Sequence, residues 1–197
     1  TYQIVKNKKN KIDNSNNILT FNIQFDPKKI NNFLAKRKIS YADISDISLI
    51  LLPILIKDKK ISLYEENFFH TNWNKFNILT KDVSEQFISY NLALENIEDL
   101  GYINSIQENI DLIDVKKINS FNGSENFVLL IIYSTEDKLK AFIKTSIKNK
   151  NIDRNINLNI YPEDTSKSYE EAITKIKKEI SQIWKEQNLV DVNTTSF

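Results

Sequence analysis

Hydrophobic and polar residues alternate strictly from Leu19: Leu19, Phe21, Ile23 and Phe25 fall on one face, Thr20, Asn22 and Gln24 on the other. That period of two predicts a half-buried strand. Asp26-Pro27 follows, pairing a capping side chain with a residue suited to the first helical position. Ile30, Phe33 and Leu34 then predict a helix over Pro27 to Lys38. Leu49 to Ile56 is a continuous apolar run, the pattern of a buried strand. Pro53 lacks a ladder donor, which predicts an end or bulge there. Ile88, Tyr90, Leu92 and Leu94 alternate with Ser89, Asn91 and Ala93, giving another half-buried strand. Ile106, Ile110, Ile113 and Ile118 recur at helical spacing towards Phe121. Phe127 to Tyr133 is apolar throughout and predicts a central strand covered on both faces. After a turn at Ser134 to Asp137, Leu139, Ala141, Ile143 and Ile147 oppose Lys140, Lys144, Ser146 and Lys148. This is the antiparallel neighbour of the central strand, and Ile156, Leu158 and Ile160 form a further one. The last element is the clearest. Ser168 and Glu171 have capping-box spacing, and Tyr169, Ala172, Ile173, Ile176, Ile180, Ile183 and Trp184 make one apolar helical stripe.

These elements predict an α/β fold: a mixed sheet of about five to six strands flanked by helices, with the C-terminal amphipathic helix docked on it. Residues 1–17, rich in Lys and Asn, read as an N-terminal extension or the remnant of an upstream domain. Residues 18–187 read as a single α/β domain and 188–197 as a flexible tail. A chain of 197 residues that is 41% hydrophobic can bury such a core. Lys+Arg of 27 against Asp+Glu of 26 leaves a net charge of +1, which gives no field to gather nucleic acid. The Lys-rich pieces Lys6 to Lys11 and Lys144 to Lys150 read as ordinary solvated lysines, because Lys, Asn and Ile share A/T-rich codons. Cysteine is absent, which excludes disulfides, thiolate catalysis and Cys-ligated metals. Methionine is absent too, although a reading frame opens on one. Thr1 is therefore read as an internal residue of a longer precursor or of a trimmed chain, and any signal peptide would lie upstream. No apolar run approaches the ~20 residues needed to span a bilayer.

Candidate chemistry gathers between Leu63 and Phe76. His70 is the only histidine, and a zinc site would need it together with carboxylates such as Glu65 and Glu66. Gly101 and Gly123 stand alone, so neither a nucleophile elbow nor a phosphate-cradling loop is present. No catalytic residue, metal or cofactor is expected. Glu95, Glu98 and Asp99 read as a solvated loop or as a helix N-terminus favouring negative charge. Phe68, Phe69, Trp73 and Phe76 lie at helical spacing, so core packing is the default, and any exposed part becomes a partner patch. The partner-binding candidates are accordingly Tyr64, Glu65, Glu66, Asn67, Phe68, Phe69, His70 and Trp73. They follow an apolar strand, where α/β sheets present ligands and partners. The alternative is a small-molecule-binding or hydrolytic site built on Glu65, Glu66 and His70. A partner site should be open and apolar, a ligand site concave with convergent polar groups.

Several of these pieces, in order, resemble a bacterial family. Ile23-Gln-Phe-Asp-Pro-Lys-Lys-Ile30 to Leu34 looks like its opening V-x-F-D-x-x-x-V-x-x-x-L, and Ser40-Tyr41-Ala42-Asp43 like a following P-Y-x-E step. Leu51-Leu52-Pro53-Ile54 is similar to a V-L-P-V strand. Leu63-Tyr-Glu-Glu66 with Asn67-Phe-Phe-His-Thr-Asn-Trp73 resembles a loop L-W-D/E-D/E-x-N-P-W-x-x-x-W. Asn96-Ile97-Glu98-Asp99 resembles a D-x-E-D step. The family is the one catalogued as domain of unknown function 2066. Tyr64 and Phe69 stand where it has tryptophans, Phe68 where it has proline, and Asn96 where it has an acid. The resemblance spans about Asn17 to Trp184. It implies an export signal, a periplasmic or envelope-associated location, an architecture like the amino-terminal α/β domain of TolB, and an envelope protein as partner. It implies no activity.

Overall fold

A computed structural model of the chain describes residues 26–37, 39, 41–42, 46–76 and 87–190. The strand read at Leu19 to Phe25, the extension 1–17 and, of the tail read at 188–197, residues 191–197 lie outside the described residues. The chain forms two compact units, Thr1–Ala42 with Leu189–Phe197, and Asp43–Asn188.

In the first unit, helix α1 (Pro27–Lys36) starts as its sequence dictates. The Asp26 carboxylate accepts the N–H groups of Lys28 and Lys29 at 3.0 and 3.3 Å, and Pro27 fills a position where no N–H is needed. The helix stops at Lys36 with Arg37 as its C-cap, short of the expected Lys38, and the Arg37 guanidinium stacks 3.6 Å from the centre of the Phe33 ring. Strand β1 (Tyr41–Ala42) pairs antiparallel with β8 (Leu189–Val190).

The second unit is built on a mixed six-stranded sheet. Its strands are β2 (Ile47–Lys57), β3 (Lys60–Ser62), β4 (Ile88–Leu92), β5 (Phe127–Ser134), β6 (Leu139–Ile147) and β7 (Lys150–Leu158). The order is β3-β2-β5-β6-β7, with β4 also on β2. β2 runs parallel to β4 and β5, and the other pairs are antiparallel. The continuously apolar β5 is central, flanked by β2 and β6, as its composition requires. Helix α4 (Thr165–Gln187) covers one face with Tyr169, Ile173, Ile176, Ile180, Ile183 and Trp184. Helix α3 (Ile97–Ser105) and the turns that follow cover the other, over Leu52, Ile54, Leu129 and Ile131. Burying one such side chain contributes roughly 1.5–3 kcal/mol, so both layers are needed to hold the sheet.

Three local expectations are corrected. Pro53 is neither an end nor a bulge but lies inside the 11-residue β2. Residues of a strand direct their main-chain groups to alternate edges. Ile50 N–H reaches Asn126 O at 3.1 Å on the β5 side, and Leu51 O accepts Ala93 N–H at 2.9 Å on the β4 side. Pro53 therefore also faces the β4 side. It falls past the last β4 pair, Leu51↔Leu92, and before the first β3 pair, Leu55↔Ser62, where no ladder N–H is required. The stretch from Ile106 to Phe121 is not one helix but short 3-10 turns, Gln107–Leu112, Val115–Lys117 and Asn119–Phe121. Asp114 accepts Lys116 N–H and so competes with helix continuation. Finally, α4 is capped by Asp164, which accepts Lys167 N–H at 2.9 Å, and not by Ser168. Ser168 Oγ accepts Tyr161 N–H instead, and Glu171 accepts the Tyr161 hydroxyl. The turns Asp58-Lys59 and Lys148-Asn149 that close the β2-β3 and β6-β7 hairpins have φ of 50, 68, 51 and 62°, the left-handed geometry of a tight hairpin, without glycine.

Candidate functional site

The segment from Leu63 to Trp73 fills the place where β3 and β4 part along β2. Tyr64 opens it in the left-handed region at φ 48°, an uncommon conformation for a bulky residue. Burial of the ring holds it there, and the 3-10 turn Tyr64–Glu66 follows. Asn67 then caps helix α2 (Phe68–Asn72), its Oδ1 accepting Phe69 N–H at 2.9 Å. Its amide donates to Pro53 O at 2.9 Å and to Ser62 O at 3.1 Å. Asn67 is 0% exposed, so one buried side chain ties β2, β3 and α2 together.

His70 anchors the same segment to β4. Its Nε2 lies 2.9 Å from Ala93 O, and because a carbonyl only accepts, Nε2 carries the proton. The Tyr64 ring meets His70 edge-on at 5.7 Å, and its hydroxyl donates weakly to Asn96 O at 3.5 Å. Burial, followed by smaller effects including the Asp99 charge, raises the Tyr64 phenol above its ordinary value. On the α4 side, Phe69 packs 5.0 Å from the Tyr169 ring and Trp73 edge-on 5.4 Å from Tyr90. Lys177 closes the far end. Its ammonium donates to Trp73 O and Phe76 O at 2.8 Å each, over the Trp73 and Tyr90 rings.

The candidates read from sequence thus divide. Tyr64, Asn67, Phe69 and Trp73 are interior, Phe68 and His70 half-buried, and Glu65 and Glu66 exposed. Glu66 pairs with Lys60 at 3.7 Å, both largely solvated, an interaction of little stabilising weight. Among the described residues no group of three or more His, Asp or Glu is placed to hold a metal ion, so Glu65, Glu66 and His70 do not converge on one. No helix among them is long and apolar enough to cross a membrane.

No family model, curated protein or solved structure matches this chain.

The geometry of the segment brings forward residues outside the partner-binding candidates. The loop from Ala93 to Asn96 joins β4 to α3, and its carbonyls at Ala93 and Asn96 are the ones held by His70 and Tyr64. Asn96 caps α3, accepting Glu98 and Asp99 N–H at 2.9 and 3.0 Å. Asp99, read as solvated or at a helix start, is at that start yet fully buried. It accepts Asn119 N–H at 2.6 Å, Ser120 N–H at 3.0 Å and the Ser120 hydroxyl. Leu94 on this doubly tethered loop and Ile97 at the first position of α3 are 84% and 83% exposed. Strand alternation had placed Leu94 with the inward set, but β4 ends at Leu92. The missed signal is a pair of large aliphatics three apart, flanked by Glu95 and Glu98.

Proposed function

We propose that this chain is a non-enzymatic protein-interaction module of the cell envelope, in which the 63–73 segment positions the loop at Leu94 to Ile97 as the contact. The observation that carries this is the near-complete exposure of Leu94, on a loop whose backbone is tethered on both sides, and of Ile97, which opens α3 directly after it. Single exposed aliphatics are ordinary, but two together on an ordered loop offer apolar area to a partner without the entropic cost of fixing that loop. Glu95 and Glu98 flank them, and Glu65 and Glu66 sit on the anchoring segment. The surface therefore suits a partner presenting an apolar patch edged with Lys or Arg. Phe68 and His70 are half-buried and Glu65 and Glu66 exposed, so these parts of the segment remain available for contact. The envelope setting is supported by the motif resemblance from Ile23 to Asp99.

The test places a photoreactive residue at Leu94 or Ile97 of the full-length protein in its own cells, with Leu112, itself 79% exposed, as the control position. A discrete protein adduct is expected from Leu94 and Ile97 and not from Leu112, and it should disappear when Glu95 and Glu98 are both replaced by Lys. Equal capture from Leu112, or none from the loop, would overturn the assignment.

A further inference from the structure

The sheet face opposite α4 is covered unevenly. On β5 it is closed, with Leu129 and Ile131 at 0% exposure. On β6 Phe142 and Lys144 are half-buried, and on β7 Asn151, Asp153, Asn155 and Asn157 are exposed. Strand register lines these residues up in rows. Tyr133, Lys140 and Asn157 form one, and Ile131, Phe142 and Asn155 the next. Asp111, on the 3-10 turn Gln107–Leu112, leans over the first row and accepts the Tyr133 hydroxyl. The result is a cleft of about 190 Å³ whose lining includes Asp111, Tyr133, Lys140, Phe142, Asn155 and Asn157.

The chemistry of that lining is specific in kind. Asp111 and Lys140 cancel in charge, so the cleft does not select an ion of either sign. Burial and then the Asp111 carboxylate push the Tyr133 phenol upward, so it stays a neutral hydroxyl at neutral pH. Asn155 and Asn157 each offer a donor and an acceptor, Lys140 donors only and Asp111 acceptors only. Phe142 adds an apolar wall, with the Lys144 ammonium 5.2 Å from its ring centre. A ligand matching this set is uncharged, carries hydroxyls that both give and accept hydrogen bonds, and has an apolar ring face. We propose that the cleft binds one ring of a neutral saccharide. Its volume is below the ~300–1,000 Å³ of pockets that enclose drug-sized ligands, which limits it to a single ring. The row beyond sets half-buried Lys144 beside exposed Asp153 and continues the track for further rings of the same chain. This site shares no residue with the Leu94 loop and stands independently of the partner proposed there.

The test is calorimetric titration of the full chain with maltohexaose, cellohexaose and the hexamer of N-acetylglucosamine, with an oligogalacturonate and inorganic phosphate as anionic probes. At least one neutral hexasaccharide should bind, with an affinity unchanged between low and high salt, because no net charge is neutralised. Replacing Asn155 and Asn157 together by Ala should weaken binding about tenfold, the loss of two neutral hydrogen bonds. Both side chains are exposed, so the melting temperature should not move. Failure of every neutral sugar to bind, unchanged affinity in the double variant, or preferential salt-sensitive binding of the anionic probes would each overturn the proposal.

Discussion

Replacing Asn67 by Leu removes the knot between β2, β3 and α2 while keeping the volume. The helix cap is lost, which costs about 1 kcal/mol. Pro53 O loses its donor in a buried position, and leaving such a group unsatisfied costs about 1–3 kcal/mol. Ser62 O also loses its donor but is only partly buried, so water limits the damage. Together these give about 2–5 kcal/mol, a large share of the ~5–15 kcal/mol of a typical domain. The companion Asn67→Asp keeps the cap acceptor but sets a carboxylate oxygen against two carbonyls in the same positions. Burial and that repulsion raise the introduced carboxyl above the ~3.9 of an unfolded aspartate. A folded-state value above the unfolded one means the native state binds more protons, so stability falls as pH rises through that window. The penalty of Asn67→Asp should therefore shrink toward about pH 4 and be full at neutrality, while that of Asn67→Leu should be flat with pH. Urea denaturation followed by tryptophan fluorescence measures both, since Trp73 and Trp184 lie fully buried in one core. An Asn67→Leu variant within about 0.5 kcal/mol of the parent, or an Asn67→Asp penalty that does not relax in acid, would refute the anchoring role.

Ile176→Asp puts an unpaired charge at a position with 0% exposure under α4 and should cost several kcal/mol, read as a large drop in melting temperature. Lys177→Met strips the donor from Trp73 O and Phe76 O and should cost about 2–4 kcal/mol in the same urea assay, more than a surface lysine would. Leu94→Asp with Ile97→Asp should leave stability within about 0.5 kcal/mol because neither side chain is in the core, and a marked loss would show that the loop is structural. Tyr133 titrates above the ordinary 10.0 in the folded state, so its contribution is complete below that value and lost as pH rises through the folded one. Tyr133→Phe should therefore flatten the alkaline decline in stability, followed by urea denaturation across that pH range.

The sheet and α4 were legible because their signal is one-dimensional. A run such as Phe127 to Tyr133 has no polar face to expose, and the α4 stripe repeats at helical spacing. Pro53 was misread because its tolerance depends on which edge of β2 it faces and on where β3 and β4 end, facts of register between distant strands. Ile106 to Ile118 kept helical spacing, but Asn109 leaves helical angles at φ −129° and ψ 36°, and Asp114 bonds its own backbone. At the site, the default of core packing for Phe69 and Trp73 follows from their spacing. The roles of Asn67 and His70 could not be seen, because their partners are main-chain carbonyls at Pro53, Ser62 and Ala93. A capping asparagine and a lone histidine look the same in sequence whether they bind a ligand or fasten a loop.

The glycine-free hairpin turns have a practical consequence for anyone producing this protein. A left-handed residue outside glycine carries up to roughly 1–2 kcal/mol of steric cost, least for Asn and Asp, and the Asp58-Lys59 and Lys148-Asn149 turns hold such residues at both central positions. Neither turn lies in the 63–73 segment or the Leu94 loop. The chain thus holds an untapped stabilising reserve. Lys59→Gly and Asn149→Gly would release part of it while leaving the main-chain hydrogen bonds of the hairpins unchanged. A turn-relaxed background of that kind would help keep folded the very variants, at Asn67 and Lys177, that remove a large share of the stability of the domain.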